Sequence, residues 1–275
     1  MRRRTKAGLL AGLLALLAGC GRPAGQGLSG VVNTAGSTSM ELVTGALIET
    51  FCAQQPNVTV NYSGAGSSAG IQSAADGLCH IGLSSRPMNE KERSQDLLAY
   101  VIALEGIAVI VHPSNPVQEL TSEQLKLLAE GQISNWTQLG GAPAPAAFIG
   151  REAGSGTRSA FEQAIGLSGL CAYTNELTST GDVLANVSSN PNAIGYVSLA
   201  ALNDTVKVLP VDGILPSAAS VQDGSYPLQR PFLMVIRSDV SLPPGAQAFL
   251  DYARSPGAAA AIQAAGAVPP AQPPS

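Results

Sequence analysis

The sequence is short of the residues that most catalytic and metal chemistry relies on. It has two histidines, His80 and His112, neither with a partner at ligand spacing, and its four cysteines contain no C-x-x-C pair, so a metal centre is not expected. No lysine follows the glycines around Gly150, which excludes a P-loop there. No G-x-S-x-G elbow is placed with a histidine and an aspartate to serve it, which leaves a serine hydrolase without support. Basic residues are scarce as well. Arg2, Arg3, Arg4 and Lys6 would leave with an N-terminal leader, and 11 Lys+Arg then face 19 Asp+Glu, a net charge of −8. Nucleic acid needs a basic surface and is not expected as a partner.

Long apolar runs are missing after the first twenty residues. The run Ala7 to Ala18 is shorter than the roughly 20 residues a permanent span needs. It ends Leu17-Ala18-Gly19-Cys20, the pattern of a bacterial lipobox, so residues 1–19 read as a lipoprotein signal peptide and Cys20 as the lipidated residue. The Gly-rich stretch 20–28 reads as a tether, placing the protein on the extracytoplasmic face of the cell membrane, in a periplasm or at a cell surface. Disulfides are permitted there, and Cys52–Cys79 is the expected bridge because both fall in one subdomain, with Cys171 left over.

What the sequence does have is Gly/Ser/Thr turns at strand–helix junctions: Gly36-Ser37-Thr38-Ser39, Gly64-Ala65-Gly66-Ser67-Ser68, and Gly150-Arg151-Glu152-Ala153-Gly154-Ser155-Gly156-Thr157-Arg158. Such a turn gathers free N–H groups, hydroxyls and the positive end of a helix dipole, the make-up of an anion site. In an acidic chain a small anion must be held by local dipoles against the net charge. The pattern predicts strands at Val31–Ala35, Val58–Tyr62, His80–Leu83, Ala193–Val197 and Val206–Val211. It predicts helices after Ser37-Thr38-Ser39 (with Met40, Val43, Leu47 and Phe51 on one face), over Ala69–Asp76, Thr121–Ala129, Thr180–Val187 and Gly245–Ala253. Leu97 to Val111 reads as strands, interrupted at Glu105-Gly106, that pass towards the second half, and Tyr226 to Ile236 as a run crossing back to the first half. Alternating strands and helices make the class α/β. Gly64 to Ala69 also fits G-x-G-x-x-A, with Ser84-Ser85-Arg86 about 20 residues on, the arrangement of an NADP-dependent oxidoreductase. Export and the position outside the first βα unit weigh against that rival.

These motifs together resemble the phosphate-binding component (PstS type) of bacterial ABC phosphate importers. The resemblance covers about residues 29–255 and rests on Ala35–Ser39, Gly64–Gly70, Ile81–Pro87, Arg151–Thr157 and Ala193–Val197. It implies a two-lobed periplasmic-binding-protein fold (type II), with mixed sheets flanked by helices and a central ligand cleft. Lobe 1 would take 29–110 and 230–268, lobe 2 would take 111–229, and 269–275 would be a disordered tail. Segments near 109–114 and 227–233 would act as the hinge. The resemblance further implies inorganic phosphate as ligand, held by Thr38, Ser39, Ser67, Ser85, Arg86, Arg151, Ser155, Gly156 and Thr157, with Arg151 as the charged donor. Ser85 stands where longer relatives carry an aspartate. Glu152 is expected to pair with Arg158. A monomer that performs no catalysis and uses no cofactor would pass its ligand to membrane permease and ATPase subunits. A sulfate or molybdate binder of the same fold is the alternative.

Overall fold

The computed structural model describes residues 27–270. The leader, Cys20, residues 20–26 of the tether and residues 271–275 lie outside the described residues. Near the N-terminus, short β-branched strands that end in glycine alternate with helices. They are β1 (Gly30–Gly36), α1 (Glu41–Gln54), β2 (Val58–Gly64), α2 (Ser67–Ala75) and β3 (Ile81–Ser84). β2, β1 and β3 lie side by side and parallel. Helix α1 buries Val43, Leu47 and Phe51, with Met40 just before it, as its spacing predicts. The expected hydroxyl cap is absent. A 3-10 turn, Thr38–Met40, precedes α1, and neither Ser37 nor Met40 makes a side-chain cap bond, so these hydroxyls serve elsewhere.

After α3 (Glu90–Arg93) comes β4 (Leu97–Val111), one uninterrupted strand rather than two. The second half adds α4 (Ser122–Ala129), β5 (Ala147–Arg151), α5 (Gly156–Ala164), β6 (Asn175–Leu177), α6 (Thr180–Ser189), β7 (Ala193–Ser198), β8 (Lys207–Leu209) and α7 (Ala218–Gln222). β9 (Gln229–Arg237), α8 (Pro244–Arg254) and α9 (Ala259–Ala264) return to the first half. The strand order is β2-β1-β3-β9-β4-β7-β5-β6, with β8 also on β4. Residues 97–106 of β4 pair antiparallel with β9, whereas residues 107–111 pair with β7 and β8. The mixed α/β class expected from the sequence is what the chain adopts.

The chain therefore changes sheets at Gly106–Ile107. The expected first hinge segment, 109–114, starts too late, because Val109, Ile110 and Val111 are paired on both edges inside the second sheet. The return crossing falls at the start of β9, within the expected 227–233. Separate cores back the two sheets. One joins β1, β3 and β9 to α1, α8 and α9, and the other gathers Trp136, Phe148, Phe161, Tyr196 and Tyr226.

The expected Cys52–Cys79 bridge does not form; Cys52, Cys79 and Cys171 are free thiols. Cys52 packs from α1 onto the core shared with α8 and α9, while α2, which leads to Cys79, packs on the opposite side of the sheet with Leu97, Leu233 and Val235. Burial pushes the Cys79 and Cys171 thiols up to about 11, so both stay protonated and unreactive. The chain is also ordered further than expected: Val268 bridges Leu104, and Pro269 and Pro270 are half-buried.

Helix α2 lies so close to β1 that only glycine fits at position 70. A Cβ there would sit 2.5 Å from the Ala35 carbonyl oxygen and 2.5 Å from the Gly36 Cα, both backbone atoms that cannot swing away. Gly70→Ala is expected to lower unfolding stability by about 1–3 kcal/mol, read as a shift in urea midpoint. An unchanged midpoint would show that α2 is free to move off the sheet.

Candidate anion-binding site

The C-terminal ends of β1, β3, β5 and β7 and the N-termini of α2, α5 and α6 meet at one place between the two sheets. β1 delivers Ser37, Thr38 and Ser39. The turn at Gly36 has φ +147°, and a Cβ there would lie 2.1 Å from the Leu83 carbonyl oxygen, so glycine is required. Ser37 donates to the Ser85 hydroxyl at 2.8 Å, and the Ser67 and Ser85 hydroxyls are 3.3 Å apart. Across the cleft Ser39 meets Thr157 at 2.5 Å and Thr180 at 3.3 Å, and Thr38 meets Thr180 at 3.3 Å. Helix α5 arrives with its first residue, Gly156, against Ser67. A Cβ at Gly156 would lie 2.1 Å from the Ser67 Oγ and 2.6 Å from the Ser85 Oγ. At the cleft lip the Ser68 N–H donates to the Gly154 carbonyl at 3.1 Å.

Arg151, at the end of β5, is only 2 % exposed. Its Nε bonds Glu152 Oε2 at 3.2 Å and the Leu177 carbonyl at 3.1 Å. Its Nη2 bonds Glu152 Oε1 at 3.0 Å and the Thr178 carbonyl at 2.9 Å. Nη1 reaches the Thr180 hydroxyl at 3.3 Å. A guanidinium has five N–H donors, so one hydrogen of Nη1, the nitrogen that meets Thr180, has no acceptor among the described residues. The Arg151 backbone is fixed from behind. Its N–H donates to the Tyr196 hydroxyl at 3.3 Å, Arg158 Nη1 donates to its carbonyl at 2.9 Å, and Tyr173 donates to Glu162 at 3.1 Å. Tyr173 and Tyr196 lie 2.9 Å apart through their hydroxyls, and burial pushes both phenols upward, so they remain donors.

Of the residues singled out in the sequence, Thr38, Ser39, Ser67, Ser85, Arg151, Gly156 and Thr157 are brought together. Ser155 is buried beside them but its hydroxyl caps α5 by accepting from the Arg158 N–H at 3.3 Å. Arg86 is not in the cluster. Its Nη1 and Nη2 grip Glu92 at 2.7 Å each, with further bonds to Ser68 and the Pro87 carbonyl, because the side chain leaves the extended segment on the side away from Ser85. The expected Glu152–Arg158 pair is also replaced. Glu152 binds Arg151, and Arg158 binds Glu162 one helical turn on and Glu176 from β6. Sequence reasoning missed Ser37 and Thr180. Ser179-Thr180-Gly181-Asp182 is a capping box after a strand, a fourth junction of the same kind, and that signal was available.

Comparisons with known proteins show what the chain and its fold are similar to. A family model described as PBP superfamily domain matches residues 22–256. The phosphate-binding protein PstS of Bacillus subtilis is 30% identical over 205 residues, covering 73% of this chain and 68% of that protein. An ABC-transporter substrate-binding protein from Clostridium perfringens, solved with bound phosphate, superposes with a TM-score of 0.84 at 34% identity, covering 88% of this chain and 100% of that one. An ABC-type phosphate transport receptor from Vibrio cholerae gives 0.72 at 33% identity, over 87% of this chain and 100% of that one.

Glu92 supplies a pH test of the Arg86 anchor. Burial works against its carboxylate, but the bonds from Arg86 and the Asn89 N–H outweigh this and hold its pKa below the ordinary 4.5. A lowered folded pKa stabilises above the unfolded value and is lost as pH falls through the folded one. Glu92→Gln is therefore expected to be less stable than the parent at pH 7, with the gap closing as the pH drops below that ordinary value. Urea unfolding across pH reads this; a gap independent of pH would mean the Arg86–Glu92 charges do not stabilise the fold.

Proposed function

The chain belongs to the PBP superfamily, and on that footing we propose that it captures inorganic phosphate between its two lobes for an ABC importer. The observation that carries this is the Arg151 guanidinium: buried, bonded through four of its N–H groups, one of them to the Thr180 hydroxyl of the cluster, and with a fifth left without an acceptor among the described residues. Arg151 Nη1, the hydroxyls of Thr38, Ser39, Ser67, Ser85, Thr157 and Thr180, and the N–H groups at the starts of α2 and α5 would take the four phosphate oxygens, replacing the contacts the hydroxyls make with one another. The hydroxyls act as donors or acceptors as the ligand's proton requires. In a cleft shut off from water these bonds are stronger than they are in solvent. The Bacillus subtilis relative is a phosphate-binding protein, and the Clostridium perfringens relative holds phosphate. Both support the reading.

Residues 29–106 with the chain from 229 onward would form one lobe, and 107–228 the other, closing about Gly106–Ile107 and the start of β9. Cys20 would carry the lipid that keeps the protein beside the permease on the outer face of the membrane. The role is capture and delivery, not catalysis. An NADP enzyme is disfavoured by the geometry: the α2 N-terminus, where a dinucleotide pyrophosphate would sit, is covered by Gly154 and Gly156, and Arg86 is held by Glu92. Two carboxylates close to the cluster, Glu152 and Glu105, are each paired with an arginine, so sulfate is the competitor to test.

Calorimetric titration of the purified protein is expected to show one-to-one binding of phosphate, with sulfate much weaker. Arg151→Ala should weaken phosphate binding at least about a hundredfold, since it removes the one charged donor from a buried site. Parent-like affinity in that variant would remove Arg151 from the site, and equal heats with sulfate would remove phosphate as the ligand.

A further inference from the structure

One buried ion pair lies outside the oxyanion cluster and yet touches the loops that build it. Glu105 and Arg230 face each other in the β4–β9 register, one rung before the strands part, and are 1 % and 3 % exposed. Arg230 Nε and Nη2 hold Glu105 Oε2 at 3.0 and 2.9 Å, and its Nη1 reaches the Ser85 carbonyl at 3.4 Å. The other carboxylate oxygen, Oε1, accepts from the Ser198 hydroxyl and from the Ala200 N–H, the latter at 3.2 Å. The Ser198 Oγ lies 3.3 Å from the Ser39 carbonyl oxygen. Ser39 and Ser85 belong to ligand loops of the first lobe, whereas Ser198 and Ala200 end β7 and follow it in the second.

Stability alone is a weak account of such a pair. Burial drives the Glu105 carboxyl upward and the Arg230 guanidinium downward, each opposed by the other's charge, and buried ion pairs of this kind are often replaceable by apolar residues without loss. The placement of the bonds gives a better reason. The strands change sheets between Glu105 and Ile107, so any rotation of one lobe on the other moves Ser198 and Ala200 relative to Glu105 Oε1. Opening would strip that oxygen of two donors and leave it buried with Arg230 alone.

We infer that Glu105, Arg230 and Ser198 are positioning residues of the phosphate site, a clasp across the crossover that is complete only with the lobes closed. The inference rests on the phosphate reading above. None of the three side chains is placed against the anion. Arg230 fixes the Ser85 peptide, Ser198 abuts the Ser39 peptide, and Glu105 joins them, so closure and loop geometry are set together. Loss of the clasp speeds ligand release and leaves encounter untouched.

Stopped-flow kinetics of phosphate binding to the purified full-length protein test this, alongside thermal melting. Ser198→Ala is expected to release phosphate about tenfold faster, the scale of one hydrogen bond to a charged group, with an unchanged association rate. Arg230→Lys, which keeps the charge but loses the fork, should also release faster. Adding Ser198→Ala to Glu105→Ala should cause little further change, since each removes the bond between the Ser198 hydroxyl and Glu105 Oε1. Thr44→Val is the control. It removes a buried hydroxyl on α1 that has no hydrogen-bond partner among the described residues, and should release phosphate as the parent does. Parent-like release from folded Ser198→Ala and Arg230→Lys would overturn the clasp while leaving the phosphate reading intact, even if their melting points fell. A parent that binds no phosphate would overturn the functional reading and the clasp with it.

Discussion

The burial of the Arg151 guanidinium is the constraint on which the rest of the site depends. A cation so far from water is costly unless it is paired and hydrogen-bonded. Here Glu152 supplies the charge, and the Leu177 and Thr178 carbonyls supply acceptors. Those carbonyls come from β6 and the turn after it, which explains why so short a strand is kept beside β5. Tyr196, Tyr173, Glu162 and Arg158 then fix the Arg151 backbone from behind, so the one N–H left over has a fixed direction. Rigidity of this kind lowers the ordering cost of binding.

Close approach is the second requirement: Gly36 under Leu83 and Gly70 against β1 let backbones meet, and Gly156 lets the start of α5 meet the Ser67 and Ser85 hydroxyls. Each brings a helix N-terminus or a hydroxyl loop nearer than a side chain would allow. The helix dipoles of α2, α5 and α6 consequently point their positive ends at one small volume, a repulsive arrangement that an anion relieves. The Glu105–Arg230 pair touches the Ser85 carbonyl through Arg230 and reaches the Ser39 carbonyl through Ser198. The clustered hydroxyls, these two peptides and the buried ion pair thus form one connected polar network, flanked by two apolar cores.

Much of this was legible in the sequence because it is local. The strand–turn–helix units at Gly36, Gly64 and Gly150 announce themselves through β-branched runs, glycine and hydroxyl residues within a few positions, and the structure places all three at the cleft. What was illegible depends on side-chain direction or on distant partners. Arg86 neighbours Ser85 in the chain but leaves on the other side, towards Glu92. Arg158 prefers Glu162, one helical turn away, to Glu152. Thr180 escaped notice because its glycine follows the turn rather than preceding it. The run Leu97–Val111 carries one break in its pattern, Glu105-Gly106, and that is where it passes from the first sheet to the second; what the pattern does not tell is that it continues as one strand. Cys52 sits on α1, whereas Cys79 follows α2, which packs on the opposite face of the sheet.

The most direct test of the central claim is a crystal structure of the protein grown with phosphate. The account predicts the anion within hydrogen-bonding distance of Arg151 Nη1 and of the hydroxyls of Ser39, Thr157 and Thr180, with Arg86 still on Glu92. Phosphate seated instead beside Arg86 and Arg93, with the Arg151 Nη1 contacts unchanged, would contradict it.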